Sequence, residues 1–238
     1  MGVISDIQTL FGAGTHFGYA RARRHPSAVA YLFGTKERTD IFDLEETVRR
    51  LDAASAFVTA LGGKHVLFVG GKHEALGIVK AAAERVGAPY VAGRWIGGTL
   101  TNFKNIRKRI DRLQKLMQER ETGELEKYTK RERLMIDREI DELLGRFGGL
   151  VHMIELPAAL FVVDTRHENT AVQEANQLKI PVIGLSSSDC DFSLIQYPIP
   201  GNDTSVRSIT LVTNAIADAY SAGKAAAPKP AAANPNTT

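Results

Sequence analysis

Between residues 30 and 220, short unbroken apolar runs alternate with longer stretches whose apolar positions fall three and four apart. Tyr31-Leu-Phe and Thr39-Asp-Ile-Phe read as two short extended segments around a polar turn. Leu44, Val48, Leu51, Ala54, Phe57, Val58 and Leu61 then recur at helical spacing. Asp43 with Glu46 three residues on predicts a capping box at the start of this helix, and Gly62-Gly63 predicts its stop. His65-Val-Leu-Phe-Val runs into Gly70-Gly71, the pattern of a strand buried on both faces of a parallel sheet. A helix over about 73–86 and a short strand at Pro89-Tyr-Val-Ala follow. Further on come a second buried strand at Ala159-Leu-Phe-Val-Val-Asp, a helix over 168–178, a strand at Pro181-Val-Ile-Gly-Leu and a final amphipathic helix over about 204–220. This alternation predicts an α/β fold, an open parallel sheet with helices on both faces.

Residues 103–147 break the alternation. Phe103, Ile106, Ile110, Leu113 and Met117 step as a heptad seam, and Ile136, Ile140, Leu143 and Phe147 form a second one. Gly123 lies between them, where the chain can reverse. The expectation is an antiparallel helical hairpin inserted in a discontinuous α/β domain of residues 1–102 and 148–220. An arm of about 18 residues reaches ~27 Å. From Ser221 onward, SAGKAAAPKPAAANPNTT contains no large apolar residue, which predicts a disordered tail over 221–238.

Composition excludes a collagen, a mucin or a wholly disordered chain, because 44% of the 238 residues are hydrophobic and 24% charged. Thirty Lys+Arg against 27 Asp+Glu leave a net charge of +3, too small to identify a nucleic-acid binder without knowing where the charges sit. The lone Cys190 excludes an internal disulfide and suits a reducing compartment. No uncharged apolar run approaches the ~20 residues that span a bilayer. The N-terminus lacks the pattern of a secretory signal, and Asp6 stands where a myristoylation pattern takes Ser or Thr. The expectation is a cytoplasmic protein with no membrane partner.

Charge placement says more. The first arm of the hairpin, residues 103–120, carries seven cations against two acids, while residues 124–142 carry five against seven. Pairing across the hairpin accounts for part of this. Lys104, Arg107, Lys108 and Arg109 precede any acid, however, and repel one another unless a polyanion compensates. Arg21, Arg23 and Arg24 make a second cluster in a loop-like segment. Two such clusters favour a phosphate-backbone surface. Arg94-Trp-Ile-Gly-Gly-Thr-Leu-Thr-Asn links sheet to hairpin, and its glycines beside a helix start offer a place for a phosphate. The plainer alternative is a core Trp95 with glycines that let the chain turn.

The competing reading is a nucleotide- or sugar-phosphate-binding α/β enzyme, because doubly wound sheets take ligands beyond the carboxyl ends of their strands. Gly70-Gly71-Lys72-His73 is neither a P-loop nor a dinucleotide fingerprint. Cys190 lies between Asp189 and Asp191, which raise a thiol pKa rather than lower it. No acid/base pair or nucleophile emerges, and no cofactor is required. His16 with Asp189 and Asp203 is a candidate oxygen/nitrogen metal site, against the ordinary alternative of a hydrogen-bonded histidine.

Gly14-Thr-His-Phe-Gly18, Leu67-Phe-Val-Gly, Arg94-Trp-Ile-Gly-Gly-Thr-Leu-Thr-Asn-Phe-Lys104, Ile106-Arg-Lys-Arg-Ile110, Leu156-Pro-Ala-Ala-Leu-Phe-Val-Val-Asp164 and Tyr197-Pro-Ile-Pro-Gly-Asn-Asp203 occur here in order. Together they resemble the bacterial small ribosomal subunit protein two family, over roughly residues 4 to 220. The resemblance implies a flavodoxin-like domain with an inserted hairpin, no catalytic activity, and a place between head and body of the small subunit. It also implies contact with 16S ribosomal RNA, with neighbouring proteins and with the large mRNA-binding protein one where present. By position it puts RNA contact on Arg94, Lys104, Arg107, Lys108 and Arg109. Tyr19 stands where the family has a second histidine, which weakens a zinc association. Arg24-His25-Pro26 replaces the usual Trp-Asn-Pro, and Phe192 replaces a usual proline.

Overall fold

In the computed structural model, which describes residues 7–226, the chain begins with α1 (Ile7–Gly12) and β1 (Phe17–Ala20). Two 3-10 turns, Arg21–Arg23 and Pro26–Tyr31, lead to β2 (Leu32–Lys36) and β3 (Thr39–Phe42). The three strands form a small antiparallel sheet in the order β1-β3-β2. Glu37 and Arg38, both at positive φ, make the two-residue turn between β2 and β3. No periodicity in the sequence announces β1. Gly18 is there because the backbone approaches closely: a Cβ would lie 3.0 Å from Ser188 Oγ and 3.2 Å from the Asp40 carbonyl.

The second sheet is parallel. Along the chain follow α2 (Leu44–Ala60), β4 (Val66–Val69), α3 (His73–Val86), β5 (Tyr90–Val91), α4 (Phe103–Glu121) and α5 (Lys130–Phe147). After them come β6 (Ala159–Val163), α6 (Asn169–Gln177), β7 (Val182–Ser186), β8 (Tyr197–Pro200) and α7 (Val206–Ala226). The strand order is β5-β4-β6-β7-β8, the doubly wound arrangement expected from the alternation, with its switch point between β4 and β6. Prolines hid β8 in the sequence. At the sheet edge Pro198 and Pro200 are tolerated, because no further strand needs their missing N–H groups.

Successive residues of β4 and β6 point to opposite faces. Phe68 and Phe161 pack with α2, α3 and α7 through Leu51, Val79 and Ile216. Leu67, Leu160 and Val162 pack on the other face with Val172 of α6 and with Ile106, Ile110 and Phe147 of the hairpin. The root of the hairpin is therefore part of the domain core, and beyond it Leu113, Leu116 and Ile140 carry the seam outward. Leu116, not Met117, is the fully buried member of that turn.

Two expectations about element ends need correction. Asp43 caps α2 by accepting from Glu45 N (2.9 Å), but Glu46 pairs with Arg49 and Arg50 instead of closing a capping box. The capping box belongs to α5, where Thr129 and Glu132 bond reciprocally. Thr129→Ala is expected to cost about 1 kcal/mol, measured by urea unfolding. Residues 221–226, expected in a disordered tail, instead belong to α7, which is helical to Ala226. Small residues let it pack backbone to backbone on α2: a Cβ at Gly223 would lie 2.6 Å from the Thr59 carbonyl. The rest of the tail, like the N-terminal residues 1–6, lies outside the described residues.

Candidate nucleic-acid interface

α4 starts against its own electrostatics. Its cap, Asn102, makes no side-chain bond to the first turn, no acid stands in that turn, and Lys104 does. Cations there oppose the positive end of the helix dipole. Lys104, Lys108 and Arg109 are exposed, and none has an ion pair among the described residues. Arg107 is different. Its Nε donates to Asp111 Oδ1 at 2.9 Å, Nη1 to the carbonyls of Val151 (3.2 Å) and Met153 (3.1 Å), and Nη2 to Gln114 Oε1 (3.0 Å). Arg107, a candidate RNA contact, staples the root of α4 to the segment after α5. Its place in a run of cations gives no sign of this. Pairing across the two arms is confined among the described residues to Arg112 and Glu139, at 3.3 Å.

The loop before α4 is built around an acid on α6. Glu174 accepts from Trp95 Nε1 (3.1 Å), Gly98 N (2.7 Å), Leu100 N (3.0 Å), Thr101 N (3.0 Å) and Thr101 Oγ1 (3.0 Å). Burial by itself would raise this carboxyl, but the bonds from Thr101, Trp95, Gly98 and Leu100 outweigh it and hold it below the ordinary range. The amides that the sequence offered to a phosphate are thus already filled by an internal carboxylate. Trp95 is buried, as the plainer alternative had it, whereas Arg94 is exposed and has no ion pair among the described residues. Glu174 was missed, although it shares a face with the buried Ala171 and Ala175. An acid on the apolar stripe of a helix was the available signal.

Arg21 and Arg23 lie exposed in the first 3-10 turn, with the Arg23 guanidinium 5.2 Å from the centre of the Tyr19 ring. Arg24 turns inward. Its Nε lies 2.8 Å from Asp40 Oδ2, Nη2 also contacts Asp40 Oδ1, and Nη2 donates to Thr35 Oγ1 at 2.7 Å. Asp40 is fully buried, and Arg24 holds its carboxyl below the usual range. Arg24 is thus a structural partner rather than a free cation. Arg166, which the sequence reading did not single out, lines a cleft with Arg23 and pairs with Asp189 Oδ2 at 2.7 Å.

At the switch point of the sheet, in-chain groups again take the places of a ligand. Gly71 N donates to Glu168 Oε1 at 3.0 Å, so the Gly-Gly turn after β4 presents this amide to the protein itself. Lys72 Nζ lies 3.1 Å from Asp164 Oδ2 and 3.4 Å from both Asp203 Oδ1 and the Tyr19 hydroxyl. The proposed metal ligands do not converge. Asp203 clusters with Asp164 and Cys190, Asp189 is held by Arg166, and His16 stacks between Phe11 (4.4 Å) and Phe17 (4.0 Å). Burial lowers the His16 pKa, favouring neutral imidazole, and burial with Asp164 and Asp203 pushes the Cys190 thiol up to about 12. The Lys72 ammonium already stands among the carboxylates of this cluster.

These features define an α/β scaffold that holds out a charged helical arm. No helix among the described residues is long and apolar enough to cross a membrane. The sequence model of the family described as Ribosomal protein S2 matches residues 10–223. The chain is 45% identical over 226 residues to the small ribosomal subunit protein uS2 of Syntrophobacter fumaroxidans, covering 94% of this chain and 82% of that protein. It is 42% identical over 222 residues to the proteins of the same name from Nocardia farcinica and Rhodococcus opacus, covering 92% of this chain and 78% and 77% of theirs. The chain belongs to the ribosomal protein S2 family, whose members are structural and not enzymes.

Proposed function

We propose that this structural constituent of the small ribosomal subunit binds 16S ribosomal RNA through Lys104, Lys108 and Arg109 at the hairpin root, joined by Arg94, Arg21 and Arg23. The observation that carries the reading is that the exposed cations of the hairpin root have no ion pair among the described residues, while Arg107, in the same run, is engaged within the fold. Unpaired cations at a helix start are costly in isolation and favourable against phosphate. The protein acts by neutralising phosphate charge and by placing a rigid arm, with no chemical step. Neighbouring proteins of the subunit, the large mRNA-binding protein one among them where present, meet its exposed apolar side chains. Met135 on α5 and Phe33 on β2 are examples, at 60% and 82% exposure.

Sedimentation of a lysate on a sucrose gradient tests the reading: the protein travels with small subunits, and a wholly free pool overturns it. Six phosphate contacts predict that log affinity for the RNA falls against log salt with a slope of about −4 to −5. Filter binding at several salt concentrations measures the slope, and a salt-independent affinity contradicts the assignment.

A further inference from the structure

We infer that Lys72 is a built-in counter-cation, whose ammonium fills the place a divalent metal would take among Asp164, Asp203 and Cys190, so that this chain does not use zinc there. The three metal-capable groups come from the ends of β6 and β8 and from the loop after β7, and their ligand atoms lie within 4.8 Å of one another. The Asp203 side chain is wholly buried, and neither of its carboxylate oxygens accepts a hydrogen bond from the described residues. A buried, unbonded carboxylate is costly unless a charge stands beside it. The charge beside it is Lys72 Nζ, 3.4 Å away, which also binds Asp164 Oδ2 and faces the Tyr19 hydroxyl.

Burial and the charge of Asp164 push the Asp203 carboxyl up to about 7, against the opposing pull of Lys72. Asp164 Oδ1 is occupied by the amides of Arg166 (3.2 Å) and His167 (2.9 Å), leaving Oδ2 to Lys72. Burial would lower the Lys72 ammonium, but the charges of Asp203 and Asp164 outweigh it and keep the side chain cationic. Tyr19 turns its hydroxyl to the same ammonium, and burial raises its pKa. A metal entering this centre must displace the ammonium and deprotonate the thiol. Lys72 is anchored by the loop between β4 and α3, so the ion pair ties three strand ends together across the switch point. This inference is independent of the RNA contacts.

The test uses the full chain and zinc ion alone. Wild-type protein equilibrated with zinc and then dialysed is expected to keep no stoichiometric metal at this centre, and its melting temperature should not respond to zinc or to chelator. Lys72→Met should melt lower, take up one zinc with at least tenfold higher affinity than the wild type, and regain stability on doing so. Lys72→Met/Asp203→Asn should recover stability without zinc and lose the uptake. Wild-type protein that holds one zinc, released by Asp203→Asn, overturns the inference. So does a Lys72→Met variant that melts like the wild type and ignores zinc. If Lys72→Met fails to fold, a folded double variant still supports the charge balance, and an unfolded double variant refutes it.

Discussion

Changing Lys104, Lys108 and Arg109 together to glutamate is expected to lower affinity for 16S ribosomal RNA by about a thousandfold or more and to leave the protein folded. A hydrogen bond to a charged group is worth ~1.5–3 kcal/mol. Three lost at the lower figure amount to about three powers of ten, before repulsion from the new carboxylates is added. None of the three side chains has an ion pair among the described residues, and acids in the first turns of α4 suit the helix dipole. The melting temperature should therefore hold or rise while incorporation into small subunits falls, as measured by gradient occupancy. Normal occupancy of the folded triple variant would remove the basis for the RNA assignment. Arg107→Glu is the contrast: it breaks contacts to the carbonyls of Val151 and Met153, so its first effect is on stability.

Glu174→Ala should destabilise the domain by about 3–5 kcal/mol, the range for removing one partner of a buried charged network. Four of the five donors around Glu174 belong to backbone or indole N–H groups that have no alternative place to turn. Glu174→Gln keeps the shape but presents an amide to an array of donors, and should cost about 1–3 kcal/mol. The pH dependence has a definite sign. Because the folded carboxyl is held below its ordinary value, its stabilisation is present above the unfolded carboxylate pKa of ~4.3 and disappears as pH falls through the folded value. The stability gap between wild type and Glu174→Gln should therefore be widest near neutrality and narrow in acid, by denaturant unfolding across pH. A gap independent of pH would mean that the charge of Glu174 does not matter.

The sheet was legible because strands buried on both faces read as unbroken apolar runs, and β6 and β7 fall within a residue or two of the segments that announced them. The hairpin was legible from its heptad seam, whose root packs into the domain core while its outer part packs on itself. What stayed hidden depended on long-range approach. β1 is hidden behind Gly18, β8 behind Pro198 and Pro200, and the last turns of α7 behind alanine and Gly223. Among the candidate cations, local sequence could not separate Arg24 and Arg107 from their neighbours. Their partners, buried Asp40 and the carbonyls after α5, lie 16 to 46 residues away. The same holds for Glu174, whose five donors stand more than seventy residues upstream.

The clamp of Glu174 on the loop ahead of α4 has a mechanical side. An arm of 19 residues is about 28 Å long, so one degree of tilt at its base displaces its far end by roughly half an ångström. With one side of the base riveted to α6 through a carboxylate and the other stapled by a guanidinium, the arm behaves as a fixed strut rather than a hinge. A particle assembled around it inherits that angle, and the spacing between whatever the two ends of the strut touch is set by the protein, not negotiated with the RNA.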